Sequence, residues 1–162
     1  MHNATKKVFG FKLRTSAWLQ EPLPSLNVAR DSHSSCSQKG SVFVICGYNG
    51  HNSLDSIEML DDIQASRWKM IEVADLAPRT YPLVCALNES QILIYGGLSH
   101  KIDVCEGVIL TRNSNSVADI ERISQDGMSL RCLSQAQTTR GGAVVAVVRD
   151  ELKNIKLIKF LP

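Results

Sequence analysis

Val42-Phe43-Val44-Ile45-Cys46-Gly47 is followed, fifty residues later, by Ile92-Leu93-Ile94-Tyr95-Gly96-Gly97. Each is a β-branched and aromatic run of strand length, ended by small residues. Two further features share the spacing. Trp18 and Trp68 are 50 residues apart, and Arg30 and Arg79 are 49 apart. Three independent features on one period predict an internal repeat of about fifty residues.

Within the first period, residues 32–37 lead into a turn at Gln38-Lys39-Gly40, and residues 42–46 form the next strand. Gly47 and Gly50 punctuate its end, so 48–52 reads as a loop. Residues 56–60 predict a third strand, 61–66 a polar turn, and 68–73 a fourth strand. The second period repeats the order with 83–87, a turn at 88–90, 91–95, and a strand around 108–111. Four short strands per fifty residues describe a meander rather than a βαβ unit. A single four-stranded sheet with two apolar faces needs a neighbour on each, which radial packing supplies. Trp18 and Trp68 are expected to fill the space between adjacent sheets.

These residues resemble the kelch repeat, whose pattern is an apolar strand ending in Gly-Gly, a polar loop, a third strand, then Trp and a Pro/Arg loop. Residues 92–97 carry it in the second copy. In the first it runs from 42–47 through Asn52-Ser53-Leu54-Asp55-Ser56-Ile57-Glu58 to Trp68, with Arg30-Asp31-Ser32-His33 echoed by Arg79-Thr80-Tyr81-Pro82. Cys46 departs from it, standing where the first Gly is expected. The fold class implied is all-β, a partial kelch-type β-propeller of four-stranded antiparallel blades.

The whole chain, 1–162, reads as one kelch-repeat region: 8–31 as the second half of a blade, 32–73 as the first full repeat, and 83–133 as a second. Arg79 and Arg140 are 61 residues apart, so the second repeat is expected to hold an insertion near 113–126, between its third and fourth strands. Residues 142–160 read as half of a third repeat, a hairpin of 143–148 and 155–160. Leu152, Ile155 and Ile158 at three-residue spacing leave a helix over 151–161 as an alternative. About three blades' worth of strands is fewer than the four to eight of a ring, so the chain is expected to be a fragment of a longer propeller.

Composition narrows the function. The net charge of +2 arises from 18 basic and 16 acidic residues in a well-mixed order, which argues against a nucleic-acid or membrane partner. Five dispersed cysteines and no signal-like N-terminus predict reduced thiols and a cytoplasmic protein.

No catalytic, metal or cofactor site is expected. His33, Cys36, Cys46 and His51 lie close in sequence, but period-two alternation puts His33 and Cys36 on opposite faces of a strand. A copper-radical centre, which a kelch-type propeller can host, would need converging Tyr, His and Cys ligands. Ser34 and Ser35 beside His33 lack an acid partner at a motif spacing. Asp61-Asp62 sits in a turn, and Gly141-Gly142 precedes a strand rather than a helix.

Binding of a protein or peptide partner remains, and the resemblance places it on the loops of one rim. The candidate contacts are Arg30, Tyr48, Asn49, His51, Arg79, Tyr81, His100 and Arg140. Arginine recurring once per repeat suits carboxylate or phosphate recognition; the competing reading is that each arginine ties loop carbonyls together. An enzyme on the same scaffold, or a degenerate non-functional duplicate, are the alternatives.

Overall fold

The computed structural model describes residues 4–100, 102–104, 106–113, 116–123, 144–149 and 155–160. Among them no α-helix occurs, and no helix is long and apolar enough to cross a membrane. The strands are β1 (Phe11–Lys12), β2 (Ala17–Trp18), β3 (Ser34–Gln38), β4 (Ser41–Ile45), β5 (Ile57–Leu60), β6 (Lys69–Ile71), β7 (Leu83–Ala86), β8 (Gln91–Tyr95), β9 (Leu98–Ser99), β10 (Ile102–Asp103), β11 (Gly107–Asn113), β12 (Ser116–Ile123), β13 (Val144–Arg149) and β14 (Ile155–Phe160).

Two four-stranded antiparallel meanders dominate. The first blade has the order β3-β4-β5-β6, and the second β12-β11-β8-β7. The β3–β4 turn follows from its chemistry: Lys39 and Gly40 both take positive φ (50° and 80°) between paired Gln38 and Ser41. That is the left-handed two-residue turn that matches strand twist, and glycine supplies half of it without strain. In the second blade the corresponding turn is held by Asn88, whose Oδ1 accepts from Ser90 N at 2.8 Å and Gln91 N at 2.9 Å.

Alternation decides which side of each blade is buried against what. On the first blade Phe43, Ile45, Ile57 and Met59 share one face, by the pairs Phe43↔Met59 and Ile45↔Ile57. They pack against Ile92, Ile94, Val108 and Leu110 of the second blade, with Leu76 closing the cluster. Each such side chain contributes about 1.5–3 kcal/mol on burial, so this seam holds the pair of blades together. The opposite face of the first blade carries Val42, Val44 and Leu60. It is covered by Trp68, Leu26 and Val8.

Two expectations change here, and a third is met. Trp68 is buried and its indole N–H donates to Pro24 O at 2.8 Å, but Trp18 is 67% exposed. Trp18 has no sheet to fill against, because β1 and β2 pair only with each other. Residues 113–126, expected as an insertion, contain β12. It pairs with β11 from Asn113↔Ser116 to Gly107↔Ile123, with a register shift between Thr111 and Arg112. At the C-terminal end β13 and β14 form an antiparallel hairpin from Val144↔Phe160 to Arg149↔Ile155, so the strand reading holds over the helix.

Candidate functional site

The two blades meet at one rim through a run of main-chain hydrogen bonds. Tyr48 exchanges both bonds with Asp31 (2.9 Å each way) and bridges to Ser53. Tyr81 N donates to Ser32 O at 2.8 Å, which carries the ladder across to the second blade. Thr80 and Leu98 exchange bonds at 2.8 Å, and Leu98 then pairs with Asp103 in the β9–β10 hairpin. The loops 31–32, 48–53 and 80–81, with residues 98–100 and 102–103, are therefore connected through the backbone.

What fixes these loops lies beneath them. Arg30 is buried, and its Nη1 donates to Cys46 O (2.7 Å) and Ser56 O (3.1 Å). Its Nη2 reaches Ser56 Oγ (3.2 Å) and Glu58 Oε1 (2.7 Å). Arg79 is buried in the equivalent place. Its Nη1 donates to Gly96 O (3.2 Å) and Glu106 O (3.5 Å), its Nη2 to Glu106 Oε1 (3.0 Å), and its Nε to Ala77 O (3.0 Å). The carbonyls that both arginines bond are those of the first residue of the small-residue doublet (Cys46, Gly96) and of the residue just before the third strand (Ser56, Glu106). Ser56 O and Glu106 O also accept a main-chain amide, from Cys46 N (3.0 Å) and Gly96 N (3.1 Å), so the arginine adds a second donor there. It also supplies the Cys46 and Gly96 carbonyls where the chain turns away, and a fork-shaped donor serves several acceptors at once.

The expectation of Arg30 and Arg79 as rim cations gives way to the carbonyl-tying role. Their guanidinium groups face inward, out of reach of any partner. Both carboxylates that pair with them escaped the sequence reading. Glu58 accepts from Arg30, from Asn27 N (2.6 Å) and Nδ2 (2.9 Å), and from Val28 N (3.0 Å). The available signal was spacing: Glu58 and Glu106 lie 28 and 27 residues after their arginines.

The doublet itself is left-handed in both blades. Cys46 has φ 59° and Gly47 φ 105°, matched by Gly96 at 64° and Gly97 at 96°. A Cβ on Gly47 would stand 2.5 Å from Asp31 O, and one on Gly97 2.5 Å from Thr80 O. Cys46 adopts this conformation with a side chain, and burial pushes its thiol up to about 12 despite the nearby Arg79 and Arg30.

The remaining candidates differ in what they offer. Tyr81 is 57% exposed and has φ 52°. His51 and His100 are exposed, His100 at the tip between β9 and β10. Asn49 is half-buried and its Oδ1 is used locally, accepting from His51 N and Asn52 N at 2.8 Å. Tyr48 is half-buried within the ladder. Arg140 lies outside the described residues. Among the described residues no group of three His, Cys, Asp or Glu side chains is disposed to hold a metal.

Residues 29–70 match the family model of the Kelch motif. The match begins beside Arg30 and ends inside β6, so it spans the first blade together with its buried arginine. No curated protein matches the chain.

Proposed function

From the premise that residues 29–70 are a kelch motif set in an all-β chain of four-stranded antiparallel blades, we propose that the protein is a non-catalytic module that binds a peptide or protein segment through the rim loops. Kelch repeats in general mediate protein interaction. The finer reading, which rim and which residues, is supported chiefly by Tyr81.

A tyrosine held at positive φ costs about 1–3 kcal/mol, and a glycine there would cost nothing. The first blade has Ser32 at the equivalent point, with φ 50°. At Tyr81 the strained backbone projects an exposed aromatic ring where the two blades join. Tyrosine gives large contact area for little entropy, with a hydroxyl for one directed bond, and is enriched at binding hot spots. His51 and His100 are exposed on loops tied into the same main-chain ladder.

The test separates strain from binding. Peptides selected from a random display library on the folded chain should lose about tenfold or more in affinity for Tyr81→Gly. The melting temperature of that variant should rise or stay level. Ser32→Gly should stabilise similarly and leave affinity unchanged. Equal affinity of Tyr81→Gly for every selected peptide rejects the rim reading.

A further inference from the structure

The strongest unassigned feature is the hairpin that precedes the first blade. Every residue from Phe11 to Pro22 is exposed, on both faces of β1 and β2, so the hairpin stands off the body. Phe11 and Trp18 are cross-strand partners and meet edge to face, with ring centroids 5.1 Å apart. Phe9 is exposed two residues before Phe11, and Leu13, in the turn that joins the strands, is 84% exposed. A patch of this kind on a soluble surface marks an interaction site.

The charge around it is mainly positive, with Glu21 the one carboxylate of the exposed stretch. Residues 4–20 hold four of the 18 basic side chains, Lys6, Lys7, Lys12 and Arg14, and none of the 16 acidic ones. All four are exposed, and no carboxylate among the described residues pairs with them. The overall charge of +2 hides this cluster, because acidic residues elsewhere balance it.

We propose that the β1–β2 hairpin docks on an anionic phospholipid surface, with Leu13, Phe11 and Trp18 entering the interfacial layer and the four cations lying against the headgroups. Two observations favour this over a protein groove. Lysine is depleted in protein interfaces, whereas basic clusters near a bilayer each add attraction to anionic lipid. A hairpin tip free on both faces can also enter a fluid surface, while a flat apolar face would demand a shaped partner. Trp and Phe with one wet edge suit the interfacial layer.

The test uses the full chain, with circular dichroism showing it folded. Co-sedimentation with vesicles of phosphatidylcholine and phosphatidylserine (7:3) is compared with pure phosphatidylcholine. Binding is expected to the mixed vesicles only, and to weaken with salt. Each of Lys12→Ala and Arg14→Ala should lower partitioning about fivefold. Phe11→Ala with Trp18→Ala should abolish it and leave the melting temperature unchanged, since both rings are exposed. Acrylamide quenching of Trp18 should fall on binding, while buried Trp68 supplies the constant background. Equal binding to uncharged vesicles, no binding to either, or binding indifferent to the aromatic pair overturns the proposal. So does a concentration-dependent dimer that Trp18→Ala dissolves, because that identifies the patch as a contact between copies.

Discussion

The two blades solve one problem with different degrees of enclosure. In the first, the Arg30–Glu58 pair is fully buried on both sides, and the carboxylate takes two further backbone amides and the Asn27 side chain. In the second, Arg79 is as deeply buried, but the Glu106 side chain keeps 37% of its surface. The loop at 27–28 closes over Glu58, and no described segment closes over Glu106 in the same way. The arginine is the common part, because its work is done on the carbonyls of the doublet. The carboxylate varies with what covers it.

This difference sets the largest expected effect. Glu58→Ala leaves a buried guanidinium and two amides without their acceptor, which should cost about 3–5 kcal/mol. Glu106→Ala breaks a pair whose carboxylate is partly wet, and should cost about 1 kcal/mol. Urea unfolding midpoints of the two variants measure both. Equal losses would show that the enclosure of Glu58 does not matter and that the carboxylates act alike.

The doublet gives the next comparison. Gly97→Ala forces a Cβ to within 2.5 Å of Thr80 O at φ 96°, and should cost about 3 kcal/mol. Gly96→Ala meets only Val104 O at 3.5 Å, so left-handed strain alone acts there, at about 1–2 kcal/mol. The second position of the doublet is therefore the stricter one. A smaller loss at Gly97 than at Gly96 breaks that ordering.

The period of the strands was legible because hydrophobic runs and glycines are local signals. β8 was read at its observed bounds, 91–95, and the outer strands within a few residues. What was not legible depended on what lies over a residue. Trp18 and Trp68 share a type and a repeat phase, yet one is exposed and one buried, since only Trp68 has a covered sheet face beside it. Arg30 and Arg79 read as surface cations because a guanidinium seldom leaves water. Only the three-dimensional path of the doublet brings its first carbonyl, the carbonyl before the third strand and a carboxylate together around one guanidinium, acceptors enough to hold it inside. The fourth strand of the second blade was missed for a related reason. Residues 61–68 separate β5 from β6, whereas β11 and β12 are joined almost directly, so the repeat's own loop length misplaced it.

The smallest effect concerns position 46, where the first blade has cysteine and the second has Gly96. Cys46→Gly relieves left-handed strain of about 1–2 kcal/mol but gives up a buried side chain worth a similar amount, so near pH 7 the change should be close to neutral. The distinction appears in alkali. The Cys46 thiol is raised from its ordinary value near 9 to about 12 by burial, so the folded state keeps a proton that the unfolded chain has lost. Unfolding then releases protons between these values, and stability that is fully present below pH 9 falls as pH rises toward 12. Cys46→Gly removes this contribution. Its stability should match the parent near neutrality and exceed it increasingly above pH 9, read from urea midpoints at pH 7, 9.5 and 10.5. Parallel pH profiles for the two proteins would mean that Cys46 is not held as a buried neutral thiol.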